Sequence, residues 1–462
     1  HLRRRSGSMK FFIRTYGCQM NARDSDAATA LLVSRGHCPV ASEDDAEIVI
    51  LNTCSVREQA ERKAIGKLGI LQRLKRRRPE IFIGLMGCMA ESRGEEVLNT
   101  LPHVDFAIGP GQFHTLPDVI DSELKRRSQE IRIGIEGDDE YLASMGRHYR
   151  DGESKISAFI AVMRGCNRFC SYCIVPYVRG RERSRPMSDI VEEAKALVAD
   201  GVREIMLLGQ NIAAYGLDGK APPAFDDTAS PFAELLSSLN GINALARIRF
   251  TSPHPAYFNE RLIEAIAMLP KVCHGIHLPL QSGSNGILKL MNRPYTAEHY
   301  LKVVKTLRSK VPDIAFSTDV IVGFPGETDD DFEATRRLMD EVSFDNAFIF
   351  KYSPRKGTAA AKLEDQVPQS LKEERNKILL DDLAARTLRH NQSFVGSTVE
   401  VMAEGPSKRN AARWAGRTGT NKIVLFEPLP GIREGDLLEV KIKRATSMSL
   451  FGDGAVLSQA QS

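Results

Sequence analysis

Residues 164–173 read RGCNRFCSYC and follow directly on the apolar run AFIAVM. Cys166, Cys170 and Cys173 thus stand in a C-x3-C-x2-C spacing just past a strand-like segment. Three thiolates can hold three irons of a [4Fe–4S] cluster and leave the fourth open to a substrate or cofactor, whereas electron-transfer clusters usually take four cysteines. Zinc also accepts thiolates, but structural zinc wants four ligands, and no fourth Cys or His lies close in sequence. An open iron implies chemistry.

Outward from this motif, the runs EIMLLG, ARIRFT, GIHLPL, STDVIVG and AFIFKY alternate with helical stretches over 155–367. Repeated β–α units predict a full or partial parallel barrel. A helix over 370–390 is expected to lie exposed and to tether the tail of the chain, with Glu373 and Lys377 paired at i, i+4. After 391 the runs TVEVMAEG, KIVLF and LLEVKIKRA, separated by Gly, Pro and Asn turns, predict a small all-β barrel.

On the amino side, strand-like runs at 11–16, 48–52 and 81–86 alternate with helices predicted over 25–34 and 58–78, the pattern of an open α/β domain. Cys18, Cys54 and Cys88, in YGC, NTC and MGC, each fall just past the carboxyl end of one of these strands. Ligands of open α/β sheets bind at that edge, so the three thiols can converge. Cys38 and Cys273 fit no such pattern and read as buried thiols. The mixed-charge stretch 126–154 reads as a connection, and residues 1–8, HLRRRSGS, as a cloning remnant.

A chain of 462 residues is too long for one core, and 42% hydrophobic with 26% charged residues is a globular balance. No apolar run reaches the roughly 18 to 20 residues of a membrane-spanning helix. Eight cysteines without a secretion-type leader imply a reducing, cytoplasmic setting. The charge excess of +4 is uneven: basic residues cluster at 73–78 and 164–185, and nine Lys or Arg face five acids over 405–462. Such patches suit phosphates.

The C-x3-C-x2-C segment resembles the radical S-adenosylmethionine superfamily, which implies that the cofactor's amino and carboxylate groups sit on the open iron. GCQMNARDSD, LNTCSVRE and GLMGCMA resemble the three motifs of the methylthiotransferase family's N-terminal domain, so Cys18, Cys54 and Cys88 are expected to bind a second [4Fe–4S] cluster. The tail, with EGPSKRN and GRTGTNKIVLF, is similar to the TRAM module, an RNA-binding barrel. The resemblance divides the chain into an N-terminal domain at 9–125, a radical core at 155–390 and TRAM at 391–456.

GCQMN, RGRERSRP and LGQN are closest to the branch of the family acting on tRNA. That implies attachment of a methylthio group to carbon 2 of an N6-dimethylallyladenosine at position 37, beside the anticodon. One S-adenosylmethionine would donate the methyl group, and a second, cleaved at Cys166, Cys170 and Cys173, would yield a 5′-deoxyadenosyl radical. By motif position, Tyr172, Gln281, Ser282, Val322, Gly323 and Pro325 are expected around the cofactor. Lys408, Arg409, Arg413, Arg417, Lys422, Lys441, Lys443 and Arg444 are expected to face RNA phosphates. Trp414 reads as packing, with base stacking as the alternative. The partners implied are the tRNA anticodon stem-loop, an electron donor and a source of sulfur, and the chain is expected to act as a monomer. Relatives that modify a ribosomal-protein aspartate or a threonylcarbamoyl-adenosine are disfavoured by GCQMN, and a redox-sensing RNA-binding protein by the open iron.

Overall fold

The computed structural model describes residues 8–56, 58–126, 129–135, 139–149 and 156–457. Apart from Ser8, the segment read as a cloning remnant lies outside them, as does part of 126–154.

Among the described residues, every strand ladder before residue 352 is parallel except the short pair Met163–Arg164 with Arg183–Ser184. Parallel strands need helical crossovers, and this sets both α/β parts. The first sheet has the order Cys38–Pro39, Lys10–Tyr16, Ile48–Thr53, Phe82–Met86, Phe106–Ile108, Glu130–Arg132. Its order reverses between Lys10–Tyr16 and Ile48–Thr53, the place where open sheets open a crevice. Ile48–Thr53 is buried at all six positions, as a central parallel strand covered on both faces must be. The edge strand Glu130–Arg132 and the helix Asp139–Ser144 come from the stretch expected to be a connection. A three-residue strand carries too little apolar pattern to be read in advance.

The first helix also begins earlier than its apolar pattern, at Gln19 rather than 25, with Cys18 as its N-cap residue. Its opening turns bury Asn21, Arg23 and Asp24, polar side chains whose partners lie elsewhere in the chain. Arg23 donates to the Met145 carbonyl, and Asp24 accepts from Arg179 at 2.7 Å. Hydrophobic periodicity cannot reveal a helix face buried by ion pairing.

The central strands form two parallel sheets, Arg247–Phe250, Glu204–Leu208, Ser157–Ala161 and Gly275–His277, Ala315–Val322, Asn346–Lys351. A bridge between Ile248 and Val272 joins them. No ladder among the described residues closes Ser157–Ala161 onto Asn346–Lys351, so the barrel is partial. Ala161 and Leu208 share a core with Met20, Ala27 and Leu31 of the first helix, which docks the N-terminal sheet beside the barrel.

The helix Gln369–Gln392 is not the exposed tether expected: Lys372, Arg375, Leu379, Leu383 and Arg386 are buried. Nor does Glu373 pair with Lys377; it meets Lys351 at 3.0 Å, while Lys377 meets Asp381 at 2.8 Å. Five strands, Thr398–Ser407, Asn410–Thr418, Ile423–Phe426, Leu450–Leu457 and Leu437–Ala445, then close a barrel, with Trp414 packed against its core. This barrel is held at the amino ends of the central strands. Arg247 bonds the Arg417 carbonyl at 2.6 Å, Arg249 bonds the Thr418 carbonyl at 2.8 Å, and Lys422 meets Asp345 at 2.8 Å.

Arg375 lies 2.6 Å from the Glu327 carboxylate, both side chains being almost wholly buried. Removing one member of a buried pair leaves the other charge uncompensated. Arg375→Met is expected to lower the stability of the chain by about 3–5 kcal/mol, read as a fall in the urea midpoint at unchanged slope.

Candidate active site at two cysteine trios

Cys18, Cys54 and Cys88 follow three adjacent strands of the first sheet. Cys18 caps one helix, and Cys88 opens another at Cys88–Thr100, positions where amide dipoles favour a thiolate. The glycines before them are required by close approach. A Cβ on Gly17 would stand 2.7 Å from the Cys54 Cβ. Gly87 has φ +95°, and a Cβ there would stand 2.3 Å from the Asn52 Oδ1. Asn21 Nδ2 donates to Asn52 Oδ1 at 3.0 Å, and Asn52 Nδ2 returns a bond to the Asn21 carbonyl at 2.8 Å. The Asn of GCQMN and the Asn of NTC are thus one clasp that draws two cysteine loops together.

The thiols feel one another. A hydrogen bond with Cys54 lowers the Cys18 pKa, and the same bond, with burial, raises that of Cys54. Burial raises Cys88, opposed by the nearby Arg179. Thiols must shed protons to bind iron, so loading such a site releases protons.

In the central trio the loop 166–173 is gripped from the segment MNRPY. Asn292 Nδ2 donates to the Phe169 carbonyl at 3.0 Å, the Met291 carbonyl accepts from the Ser171 amide at 3.0 Å, and Arg293 donates to Cys170 Sγ at 3.3 Å. Burial pushes Cys166 up to about 12 and raises Cys173 as well. His254 is deeply buried against Tyr257 and Tyr295, and desolvation keeps its imidazole well below the usual range, hence neutral. Asn292, Arg293 and His254 were not singled out from sequence.

One cysteine of the N-terminal trio meets the segment that follows the central trio. Cys88 packs in a buried cluster with Ile174, the residue after Cys173, and with Val178. Arg179, at the end of the helix Val175–Arg179, donates Nε–H to Cys88 Sγ at 3.3 Å. Beyond Cys54, the Val56 carbonyl accepts from Arg355 at 2.9 Å and Glu58 accepts from Ser353 at 2.8 Å. Among the described residues, no three Cys, His, Asp or Glu side chains are gathered to grip a single metal ion. Within each trio the thiols influence one another electrostatically, and thiolates are soft donors of the kind that iron–sulfur clusters take.

The residues expected around the cofactor lie in different surroundings. Tyr172 packs among Phe324, Tyr352 and Met291, its ring edge-on to Phe324 at 6.5 Å. Gln281, at φ +70°, lies at the barrel's carboxyl edge and bridges to Val320. Ser282 instead faces into the fold, its hydroxyl held by Thr335 at 3.2 Å and by the Ser284 amide at 3.2 Å, which makes it a turn residue. Val322 and Pro325 are buried around the turn at Gly323, whose amide donates to Glu327 at 2.7 Å. Arg375, on the helix Gln369–Gln392, therefore braces that turn through Glu327.

Basic residues separate by partner. Arg409, Arg413, Lys443 and Arg444 line a groove of about 330 Å³ with Asn410 and Phe451, and the Arg444 guanidinium lies 3.8 Å from the Phe451 ring centre. Lys408 and Lys441 are exposed, Arg417 meets Glu404 at 3.0 Å, and Lys422 is taken up by Asp345 at the joint between domains. Of the run at 164–185, Arg164, Arg179 and Arg185 are buried rather than turned to solvent. In the run at 73–78, Lys75 meets Asp105 at 2.8 Å and Arg78 holds the Asp44 and Ala46 carbonyls. Cys273 is buried, whereas Cys38 is half-buried on an edge strand.

Fold and site together define a radical S-adenosylmethionine enzyme that carries an added thiol-bearing α/β domain and a TRAM barrel. Family profiles match accordingly: the radical SAM superfamily at 160–339, the uncharacterized protein family UPF0004 at 10–109 and the TRAM domain at 392–454. Proteins named tRNA-2-methylthio-N(6)-dimethylallyladenosine synthase are similar over 96% of this chain. Those of Opitutus terrae (44% identical, 96% of its length), Akkermansia muciniphila (42%, 98%) and Moorella thermoacetica (44%, 98%) are examples. The chain belongs to the tRNA-2-methylthio-N(6)-dimethylallyladenosine synthase family. Among solved structures, the radical S-adenosylmethionine methyltransferase TsrM of Kitasatospora setae shares the fold, with a TM-score of 0.57 at 15% identity over 77% of each chain. Membership of the superfamily implies S-adenosylmethionine and a [4Fe–4S] cluster. No helix among the described residues is long and apolar enough to cross a membrane.

Gly87→Ala puts a side chain where the backbone angle and Asn52 both forbid it. The expected cost is about 1–3 kcal/mol of stability. Thermal unfolding of the variant beside the parent checks it.

Proposed function

We propose that this chain attaches a methylthio group to carbon 2 of N6-dimethylallyladenosine at position 37 of tRNA, beside the anticodon, using two molecules of S-adenosylmethionine. The observation that carries the reading is the contact of Cys88 with Ile174, Val178 and Arg179, which brings one cysteine of the N-terminal trio against the helix that follows the central trio. When bound, a [4Fe–4S] cluster on each trio supplies the chemistry: radical removal of the carbon 2 hydrogen through the central one, and a sulfur that accepts a methyl group through the N-terminal one.

The residues of the chain do the rest. Cys18, Cys54 and Cys88 hold the N-terminal cluster, and Cys166, Cys170 and Cys173 the central one. Tyr172, Gln281 and the turn at Val322, Gly323 and Pro325 surround the cofactor. Ser353 and Arg355 tie the segment after Cys54 to the central domain. Neutral His254 adds no charge near the cysteine loop. The target adenosine must leave the anticodon stack to enter, which costs a loop nucleotide about a few kcal/mol at most. Exposed Lys408 and Lys441, with Arg409, Arg413, Lys443 and Arg444 in the TRAM groove, hold RNA phosphates. An electron donor and a sulfur source complete the cycle, and a cytoplasmic setting suits the substrate. The domains divide as N-terminal 9–125, central 155–390 and TRAM 391–456.

Reconstituted protein should contain about eight irons, falling to about four in Cys18→Ala/Cys54→Ala/Cys88→Ala and likewise in Cys166→Ala/Cys170→Ala/Cys173→Ala. With reductant and cofactor it should methylthiolate prenylated tRNA and leave the unprenylated tRNA and ribosomal protein unmodified. Four irons in the wild type, or modification of the ribosomal protein, would overturn the reading.

Counterion release makes RNA affinity fall with salt in proportion to the phosphates held. Arg409→Ala/Arg444→Ala is therefore expected to weaken binding of the stem-loop and to flatten the slope of log Kd against log salt by about one to two. A titration across salt concentrations reads both.

A further inference from the structure

Arg179 lies six residues past Cys173, yet its guanidinium is buried among residues of the other domain. Nε donates to Cys88 Sγ at 3.3 Å, and one terminal nitrogen donates to the Asp24 carboxylate at 2.7 Å. Asp24 stands on the helix that Cys18 caps, and Cys88 opens the next helix but one along the chain. One planar side chain from the central domain therefore joins the Cys88 sulfur to the helix that Cys18 caps. The packing of Cys88 against Ile174 and Val178 fixes the short helix that presents it.

The chemistry of the pairing demands Arg. The guanidinium stays charged at any pH the protein meets and offers donors in several directions from one rigid plane, so a sulfur and a carboxylate can be served at once. A lysine ammonium would supply the charge without the fork. Three thiolates outweigh the charge of a [4Fe–4S] core, and hydrogen bonds to cluster sulfurs are among the factors that set reduction potential. A buried anion also needs a compensating charge.

We propose that Arg179 is a positioning residue of the N-terminal cysteine site, supplied across the seam by the central domain, that binds the Cys88 sulfur and sets the potential of the cluster held there. The proposal builds on the reading of Cys18, Cys54 and Cys88 as cluster ligands. It makes the N-terminal site complete only when the two domains are docked, and it couples the loop of the radical site to the sulfur-bearing one through a single side chain.

The test uses the full chain with Cys166→Ala/Cys170→Ala/Cys173→Ala as the parent, so that only the N-terminal cluster remains. Arg179→Lys, Arg179→Gln and the neutral pair Arg179→Gln/Asp24→Asn are compared with it after anaerobic reconstitution. Iron content, the electron paramagnetic resonance spectrum of the reduced cluster and its midpoint potential are read. The expected result is a potential shifted negative and an altered spectrum in both Gln variants, with Arg179→Lys between them and the parent. Loss of iron from Arg179→Gln at unchanged circular dichroism would support the same role. The double variant guards against misfolding, because it leaves no unpaired charge at Asp24. An unchanged potential and spectrum in a fully loaded double variant would overturn the proposal. A parent that binds no iron would overturn the two-cluster reading together with it.

Discussion

Parallel strands all end on one edge, and that constraint governs where this chain can put its thiols. Cys18, Cys54 and Cys88 follow neighbouring strands of one sheet, and Cys166, Cys170 and Cys173 follow the edge strand of another. Two such edges can share a seam only if the sheets dock side by side, as the common core of Met20, Ala27, Ala161 and Leu208 makes them do. Glycines at 17 and 87 then let the loops approach one another closely.

The docking is polar as well as apolar. Arg23 on the first helix faces Glu193 at 3.8 Å, Glu193 accepts from His148 at 2.6 Å and meets Arg185 at 2.7 Å, and Asp24 meets Arg179. Buried ion pairs of this kind add little net stability, because desolvation offsets much of the attraction. Their cost when mismatched is high, so they hold the two sheets in one relation. That relation is what puts Cys88 against the helix after the central cysteines.

Arginines that look alike in sequence serve opposite ends of the molecule. Arg247 and Arg249 anchor the C-terminal barrel at the amino ends of the central strands, while Arg179 and Arg293 touch cysteine sulfurs at the carboxyl ends. Arg409, Arg413 and Arg444, on the barrel itself, line an open groove. Local charge counts cannot separate these roles, since each depends on which partner the fold delivers.

Much of the architecture is legible because it depends on short-range pattern. Apolar runs at regular intervals, a C-x3-C-x2-C spacing after a strand and cysteines just past three others identify two α/β units and a β-barrel. The start of the helix at Gln19 and the buried face of the helix Gln369–Gln392 were not legible, because Asn21, Arg23, Lys372 and Arg375 are buried by partners distant in sequence. For the same reason Lys422 read as a phosphate ligand and Ser282 as a cofactor contact, although one meets Asp345 and the other Thr335. The sequence by itself determined which thiols follow which strands, since thiol spacing and strand pattern are local properties. Only the tertiary structure decided which of them meet, since Arg179 reaches Cys88 across 91 residues and a domain boundary through a bond that exists only once the sheets have docked.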